Sequence, residues 1–255
     1  MSKWPASLWA LLNLMGFIIM VSVNYLANAL PIGGRTTGEV SALYPVLVTP
    51  ASYAFSIWGL IYLLLAGFVI LQLIPRWRND KILECIGPWF FLSCLFNALW
   101  ILLWHYLYVI SATLIIVALL TTLFLIYRRM NAYAQEVQQF LGIERLLVHL
   151  PFRIYLAWVA AATLINMNVL FSVFTSGHWG MGELFLAIMT LVIALFLALY
   201  FGNRYGDIAF MLVIIWALIA IGVNQKDNSL ISAIAFAFAA FLALMSLIIF
   251  RQRRR

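Results

Sequence analysis

Charge is scarce in this chain: Asp, Glu, Lys and Arg make up 9% of the 255 residues, and only eight are acidic. A soluble domain carries nearer a quarter, so an ordinary water-facing surface is excluded. Cysteine is scarcer still. Cys85 and Cys94 share one apolar run at a spacing that suits neither a metal site nor a disulfide within a single helix, so both read as small core residues. The three histidines, His105, His149 and His178, fall near the ends of apolar runs on both sides of a membrane, so they cannot converge on one metal. The stretch Gly33-Gly34-Arg35-Thr36-Thr37-Gly38 lacks the Gly-Lys-Ser/Thr ending of a phosphate loop and reads as a turn. With no set of acid, base and nucleophile in sight, the expectation is a protein that is not an enzyme and holds no metal or cofactor.

Apolar sequence is what the chain has in abundance, at 66% of residues. About 20 apolar residues cross the hydrocarbon layer, and runs of that kind fill the chain. Lys3, the run after it and Ala27-Asn28-Ala29 imitate a secretory signal, but Trp4 to Asn28 is longer than the ~7–15 residues of such a core and is read as a first span. That span covers Ser7 to Asn28, and the long loop Leu30 to Pro50 follows. The second span opens near Ala51 and stops at Pro75, before Arg76, Arg78 and Lys81. Between Glu84 and Arg128 the chain is about twice one span and folds into a third and fourth, with a turn near Tyr106 to Ser111. The fifth runs from Leu146 to Phe174, ended by Gly177, Gly180 and Gly182, and the last three occupy Leu184–Gly202, Ile208–Val223 and Leu230–Phe250. The fold class is an all-α polytopic membrane protein of about eight transmembrane helices, divided at 1–175 and 176–255. Contact with membrane lipid follows, and contact with nucleic acid does not, because the net charge of +7 lies between spans and at the C-terminus.

Eight spans put both ends on one side. With the termini cytoplasmic, the inner segments hold Lys3, Arg76, Arg78, Lys81, Arg128, Arg129, Arg145, Arg204, Arg251, Arg253, Arg254 and Arg255, and the outer ones hold only Arg35 and Lys226. The compartment expected is a bacterial inner membrane. Arg153 is the one basic residue well inside a span. The fifth span overruns the hydrocarbon layer by about 13 Å, so the side chain is expected to snorkel to the inner boundary.

Residues i, i+3, i+7 and i+11 share a helix face, and three spans carry polar and aromatic side chains at that spacing. The second shows Phe55, Trp58, Tyr62 and Ala66; the third Ser93, Asn97, Trp100 and Trp104; the fifth Tyr155, Trp158, Ala162 and Asn166. An Asn amide facing hydrocarbon is costly, so Asn97 and Asn166 should point into the bundle and take their Trp neighbours with them. The first span adds Asn13, Gly16, Met20 and Asn24, a small and polar face. Belt and packing roles remain open for any one of these residues, but together they fit a concave apolar site with few polar groups. In the last span the small residues Ala233, Ala237 and Ala235, Ala239, Ala243 allow close helix approach, to the neighbouring spans or to a second protomer.

The stretch from Pro50 to Tyr62, with Phe55, Trp58 and Tyr62, then Asn97-Ala98-Leu99-Trp100, then Tyr155-Leu156-Ala157-Trp158 with Ala162 and Asn166, resembles the tryptophan-rich sensory protein and translocator protein (TspO/MBR) family. The likeness covers about residues 7–175 and leaves the last three spans aside. It implies a five-helix core, commonly dimeric, binding a porphyrin or other tetrapyrrole in a pocket closed by the first loop. Carried across, the implied ligand-binding residues are Phe55, Trp58, Tyr62, Asn97, Trp100, Trp158, Ala162 and Asn166. Two departures stand out: Pro151 lies one turn before Tyr155 with Arg153 between them, and no basic residue or Tyr follows at Asn168 to Trp179, so a sterol site there is not implied.

The function expected is therefore a membrane protein that binds a planar hydrophobic ligand such as a porphyrin and acts as a sensor or regulator, with a homodimer possible. A secondary transporter of a small hydrophobic substrate is the alternative, and a porphyrin-degrading enzyme stands third. Transporters often show internal repeats and intramembrane charges, which the first four spans lack. The topology has a direct check: a cysteine introduced at Thr36 is expected to react with an impermeant thiol reagent in intact cells, and reaction only after the inner face is opened would reverse the assignment.

Overall fold

The computed structural model describes residues 6–30, 32–78, 81–136, 142–175 and 180–254. Lys3, Pro31, Gly177, His178 and Arg255 lie outside the described residues, as do the side chains of Arg78, Glu84, Cys85, Arg145 and Arg254. Every regular element among the described residues is helical. The order is α1 (Ala6–Ala29), a 3₁₀ turn (Ile32–Gly34), α2 (Thr37–Ala42), a 3₁₀ turn (Ser52–Ser56), α3 (Ile57–Leu73), α4 (Pro75–Arg78), α5 (Lys81–His105), α6 (Val109–Glu136), α7 (Gly142–Glu144), a π-helical turn (Arg145–His149), α8 (Leu150–Phe174), α9 (Met181–Tyr205), α10 (Ile208–Asn224) and α11 (Ser229–Arg254). Seven of the described helices are long and apolar enough to cross a membrane. The eighth, α10, has 17 residues, about 25 Å at the usual rise and short of the hydrocarbon thickness.

Helix α8 is the hub. It packs on α3 and α6 of the N-terminal bundle and on α9 and α10 of the C-terminal group, and is the most buried of the spans. Helix α5 lies between α1 and α6, where Gly16 brings α1 so close that a Cβ there would stand 2.8 Å from the Phe91 ring. At the other side α11 covers α10 and α9 through buried Ala235, Ala239 and Leu242, while Ala233, Ala237 and Ala243 are less buried. The α5–α6 turn falls at Tyr106–Tyr108, with no Gly or Pro; Leu107 takes φ 62° instead, held by bonds from Leu107 N to Trp104 O (3.1 Å) and Tyr108 N to Leu103 O (2.9 Å).

Several boundaries differ from the sequence expectation: α6 runs past Arg128 to Glu136, α9 begins at Met181 and takes in Gly182, and the start of the second span changes character. The second span does not begin as α-helix at Ala51: Ser52–Ser56 is a 3₁₀ turn, and the α-helix starts at Ile57. The loop before it is also not plain loop. Thr36 caps α2 and Glu39 reaches back to Thr36 N (2.7 Å), a capping box, and those bonds hold the Glu39 carboxyl below its ordinary range. The segment after α2 dives under α10, burying Val46, Val48 and Thr49. Its backbone groups must find partners there, and α10 and its C-cap supply them. Gln225 Nε2 donates to Val46 O (3.2 Å), Asn224 Nδ2 to Thr49 O (3.1 Å) and Trp216 Nε1 to Ala54 O (3.2 Å), while Ala51 N donates to Ala220 O (2.9 Å).

Arg153 does more than snorkel. It is 29% exposed, and its Nε lies 3.5 Å from Oδ2 of Asp207, which is fully buried. Asp207 follows Gly206, whose left-handed φ of 62° closes α9, and it caps α10 by accepting from Phe210 N (3.0 Å). Tyr127 donates to the same carboxylate at 2.9 Å. One acid thus joins α6, α8 and α10, a role that its place in a short connecting turn conceals. Arg153→Leu leaves that buried charge without its counter-ion, which costs about 3–5 kcal/mol in comparable pairs. Its melting temperature in detergent should fall well below wild type, and adding Asp207→Asn should restore part of the loss; equal melting of wild type and Arg153→Leu would refute the pairing role.

Candidate ligand pocket

The aromatic faces of α3, α5 and α8 meet. Trp58 is the centre: its ring lies 5.9 Å from Trp100, 6.3 Å from Trp158 at nearly a right angle, and 5.6 Å from Tyr62 in a stacked pair. Trp104 stacks on Trp100 at 6.3 Å, and Phe55 meets Trp158 edge-on at 6.2 Å. Such offset and edge arrangements are the favoured ones for aromatic pairs. Between these rings is a cavity of about 20 Å³ lined by Ser41, Pro50, Phe55, Trp58, Trp100, Trp104, Trp158, Ala162, Ile165 and Asn166. That is room for one water and no more.

The hydrogen bonding of the four indoles is unequal. Trp100 Nε1 donates to Asn166 Oδ1 at 3.4 Å, and Asn166 Nδ2 donates in turn to Ala162 O. The indole N–H groups of Trp58, Trp104 and Trp158 are buried without a protein partner. A water accepts two hydrogen bonds at most, so a single water cannot satisfy all three. Three partnerless indole N–H groups thus belong to residues of the cavity wall, which contains no acid, base or cation.

Beside the cavity, Asn97 anchors a polar network in the bundle interior. Asn24 Nδ2 donates to Asn97 Oδ1 (2.7 Å), Tyr62 OH reaches the same oxygen at 3.5 Å, and Asn97 Nδ2 donates to Tyr155 OH (2.9 Å). Four helices, α1, α3, α5 and α8, are tied at one point. Toward the other end of the membrane, Asn13 Nδ2 donates to Gln72 Oε1 (2.8 Å), a direct bond between α1 and α3. Above the network the loop is pinned to α1 and α5: Thr37 N donates to Asn28 Oδ1 (3.1 Å), and His105 lies 3.1 Å from Thr37 Oγ1 and 3.2 Å from Ile32 O.

Of the eight residues expected from sequence, Phe55, Trp58, Trp100, Trp158, Ala162 and Asn166 come together around the cavity. Asn97 and Tyr62 do not line it; they belong to the network, and Tyr62 also lines a separate groove of about 470 Å³ between α1 and α3 with Val21, Asn24, Asn28, Phe55, Trp58 and Gly59. Trp104 shares the face of Asn97 and Trp100, a signal present in the sequence. Ser41 and Pro50 come from the loop and had none.

Asn97→Ala removes three side-chain hydrogen bonds, leaving the Asn24 amide only its bond to Met20 O (2.9 Å) and the Tyr155 hydroxyl only a long contact with Met20 Sδ (4.0 Å). Interhelical bonds in membranes average about 0.6 kcal/mol, while a stranded buried group costs about 1–3 kcal/mol. We expect Asn97→Ala to destabilise the solubilised protein by about 2–4 kcal/mol, clearly more than Asn28→Ala at the loop, as read by thermal melting with size-exclusion detection.

Neither the comparison with curated proteins nor that with solved structures finds a match. A family model described as TSPO-like protein matches residues 10–248. The match begins in α1 and ends in α11, so it takes in the tryptophan-lined cavity and also the three C-terminal helices that the motif likeness left aside. The chain belongs to the TSPO-like protein family.

Proposed function

We propose that the protein binds a planar hydrophobic ligand of the porphyrin or tetrapyrrole class and acts as a membrane sensor or regulator. The observation that carries this reading is the box of four tryptophans with three buried N–H groups lacking partners. Flat aromatic walls suit a flat ligand, and unpaired donors suit one with acceptor oxygens, such as a carbonyl or the carboxylates at a porphyrin's rim. A binding role without catalysis fits a wall that has neither a general acid nor a nucleophile beyond Ser41. Both termini are assigned to the cytoplasm on the excess of basic residues at the ends of α3, α6, α9 and α11, and the membrane proposed is a bacterial inner one. A homodimer belongs to the same reading.

The closed cavity is far below the ~300–1,000 Å³ of ordinary ligand sites, so binding requires the box to open. Phe55 and Trp58 are the side chains that separate it from the 470 Å³ groove. Losing one stacking partner is worth about 0.5–1.5 kcal/mol, so Trp100→Phe and Trp158→Phe should each raise the Kd for protoporphyrin IX about 2- to 12-fold, measured by quenching of tryptophan fluorescence in detergent. Trp77→Phe, in α4 at the opposite end of α3, should leave the Kd unchanged. Quenching that does not saturate, or an equal effect of Trp77→Phe, would defeat the pocket reading.

A further inference from the structure

The cavity has two walls through which a ligand could pass, and they are built differently. Toward the loop face its roof is Ser41, Pro50 and Phe55, part of the strap that runs from α2 to α3. That strap is fastened to α10 and its C-cap at Val46, Thr49, Ala51 and Ala54 by five hydrogen bonds, Gln225 Nε2 also reaching Thr49 O at 3.5 Å. Tyr53 adds an edge contact with Trp216 at 5.2 Å. Lifting the strap breaks all of these together and exposes the buried side chains of Val46 and Val48.

Toward the bilayer the wall is thin. The groove between α1 and α3 extends from Val21 to Asn28 along α1, about 10 Å, and its volume is about 470 Å³. Phe55 and Trp58 line both the groove and the cavity, so these two side chains stand between them. Gly59 lies in the groove wall, where an added Cβ would meet nothing within 4 Å, so the glycine leaves the passage wide. Asn24, Asn28, Thr37, Ser56 and Tyr62 give the same groove polar edges within an otherwise apolar surface.

We infer that ligand reaches the tryptophan cavity sideways from the bilayer, between α1 and α3 past Phe55 and Trp58, and that α10 acts as a latch holding the loop-face route shut. This side entry rests on the pocket reading above. The C-terminal helices then have a role in the route: through α10 they convert what would be a movable lid into a fixed roof. Moving two side chains is a local event, whereas the latched strap opens only as a unit.

The test is stopped-flow quenching of tryptophan fluorescence by protoporphyrin IX in nanodiscs. Gly59→Phe fills the groove without entering the cavity, so it should slow association and dissociation together by about tenfold or more while leaving the Kd within about twofold. Gly59→Ala, for which there is room, should behave as wild type. Asn224→Ala/Gln225→Ala loosens the latch, and in the Gly59→Phe background it should restore rapid association by opening the second route. Wild-type rates in Gly59→Phe would overturn the side route, and a triple variant that stays slow would overturn the latch. A change in oligomeric mass of Gly59→Phe with wild-type rates would make the groove an interface between copies, which also overturns the inference. Failure of the wild type to show saturable quenching would instead be a failure of the pocket reading, visible before any variant is compared.

Discussion

An amide cannot be left facing hydrocarbon, and Asn97 in α5 is where that constraint is met. Its oxygen accepts from Asn24 and Tyr62 and its nitrogen donates to Tyr155. Each partner sits on a different helix, so the rotation of α1, α3, α5 and α8 about their own axes is set together. With α5 turned this way, Trp100 and Trp104 must face α3 and α8, and the tryptophan box follows from the same choice. The hydrophobic effect cannot make it, because lipid tails and leucines are alike to an apolar face. The few polar groups therefore carry the specificity of the bundle.

The same rule governs the strap between α2 and α3. Irregular backbone at membrane depth is tolerated only where protein covers it and supplies hydrogen bonds. Here the cover is α10 with its C-cap, and the side chains of Trp216, Asn224 and Gln225 each donate to a strap carbonyl. At the opposite end of α10, Asp207 binds Tyr127 and lies beside Arg153. This short span is thus fixed to the N-terminal bundle at both ends, by backbone acceptors at one and by a buried carboxylate at the other. Asn168 reinforces the joint by donating to Thr190 Oγ1 at 2.8 Å, across α8 and α9.

Some of this is legible in the sequence, and the rest is hidden for physical reasons. Face periodicity finds Asn97, Asn166 and the tryptophans because a polar group in lipid has one permitted direction, and a helix converts direction into spacing. The Thr36–Glu39 capping box is also readable, but Gly33, Gly34 and Gly38 around it signal turns more strongly than a six-residue helix signals itself. Asp207 gives no warning: a charge between two apolar runs looks solvated, and its burial depends on Tyr127, 80 residues away. The contacts of Asn224 and Gln225 with the strap lie further apart in the chain still, and no local pattern announces them. Length misleads at α10, which reads as an ordinary span in the sequence although its 17 residues make it shorter than the seven helices long enough to cross a membrane.

The small volume of the box has an energetic reading. The closed state leaves at least one of three buried indole N–H groups without an acceptor even if a water fills the 20 Å³ cavity, and each such group costs about 1–3 kcal/mol. That cost raises the free energy of the closed state and so lowers the gap to an open one in which Phe55 and Trp58 have moved. On the proposed binding reading, a ligand would bind only the open population and its apparent affinity would be reduced by that fraction; a state populated at about 1% weakens binding about a hundredfold. Unpaired donors therefore serve twice. They make opening less unfavourable, and on the proposed reading they would give an acceptor-bearing ligand hydrogen bonds that the empty box cannot form with itself.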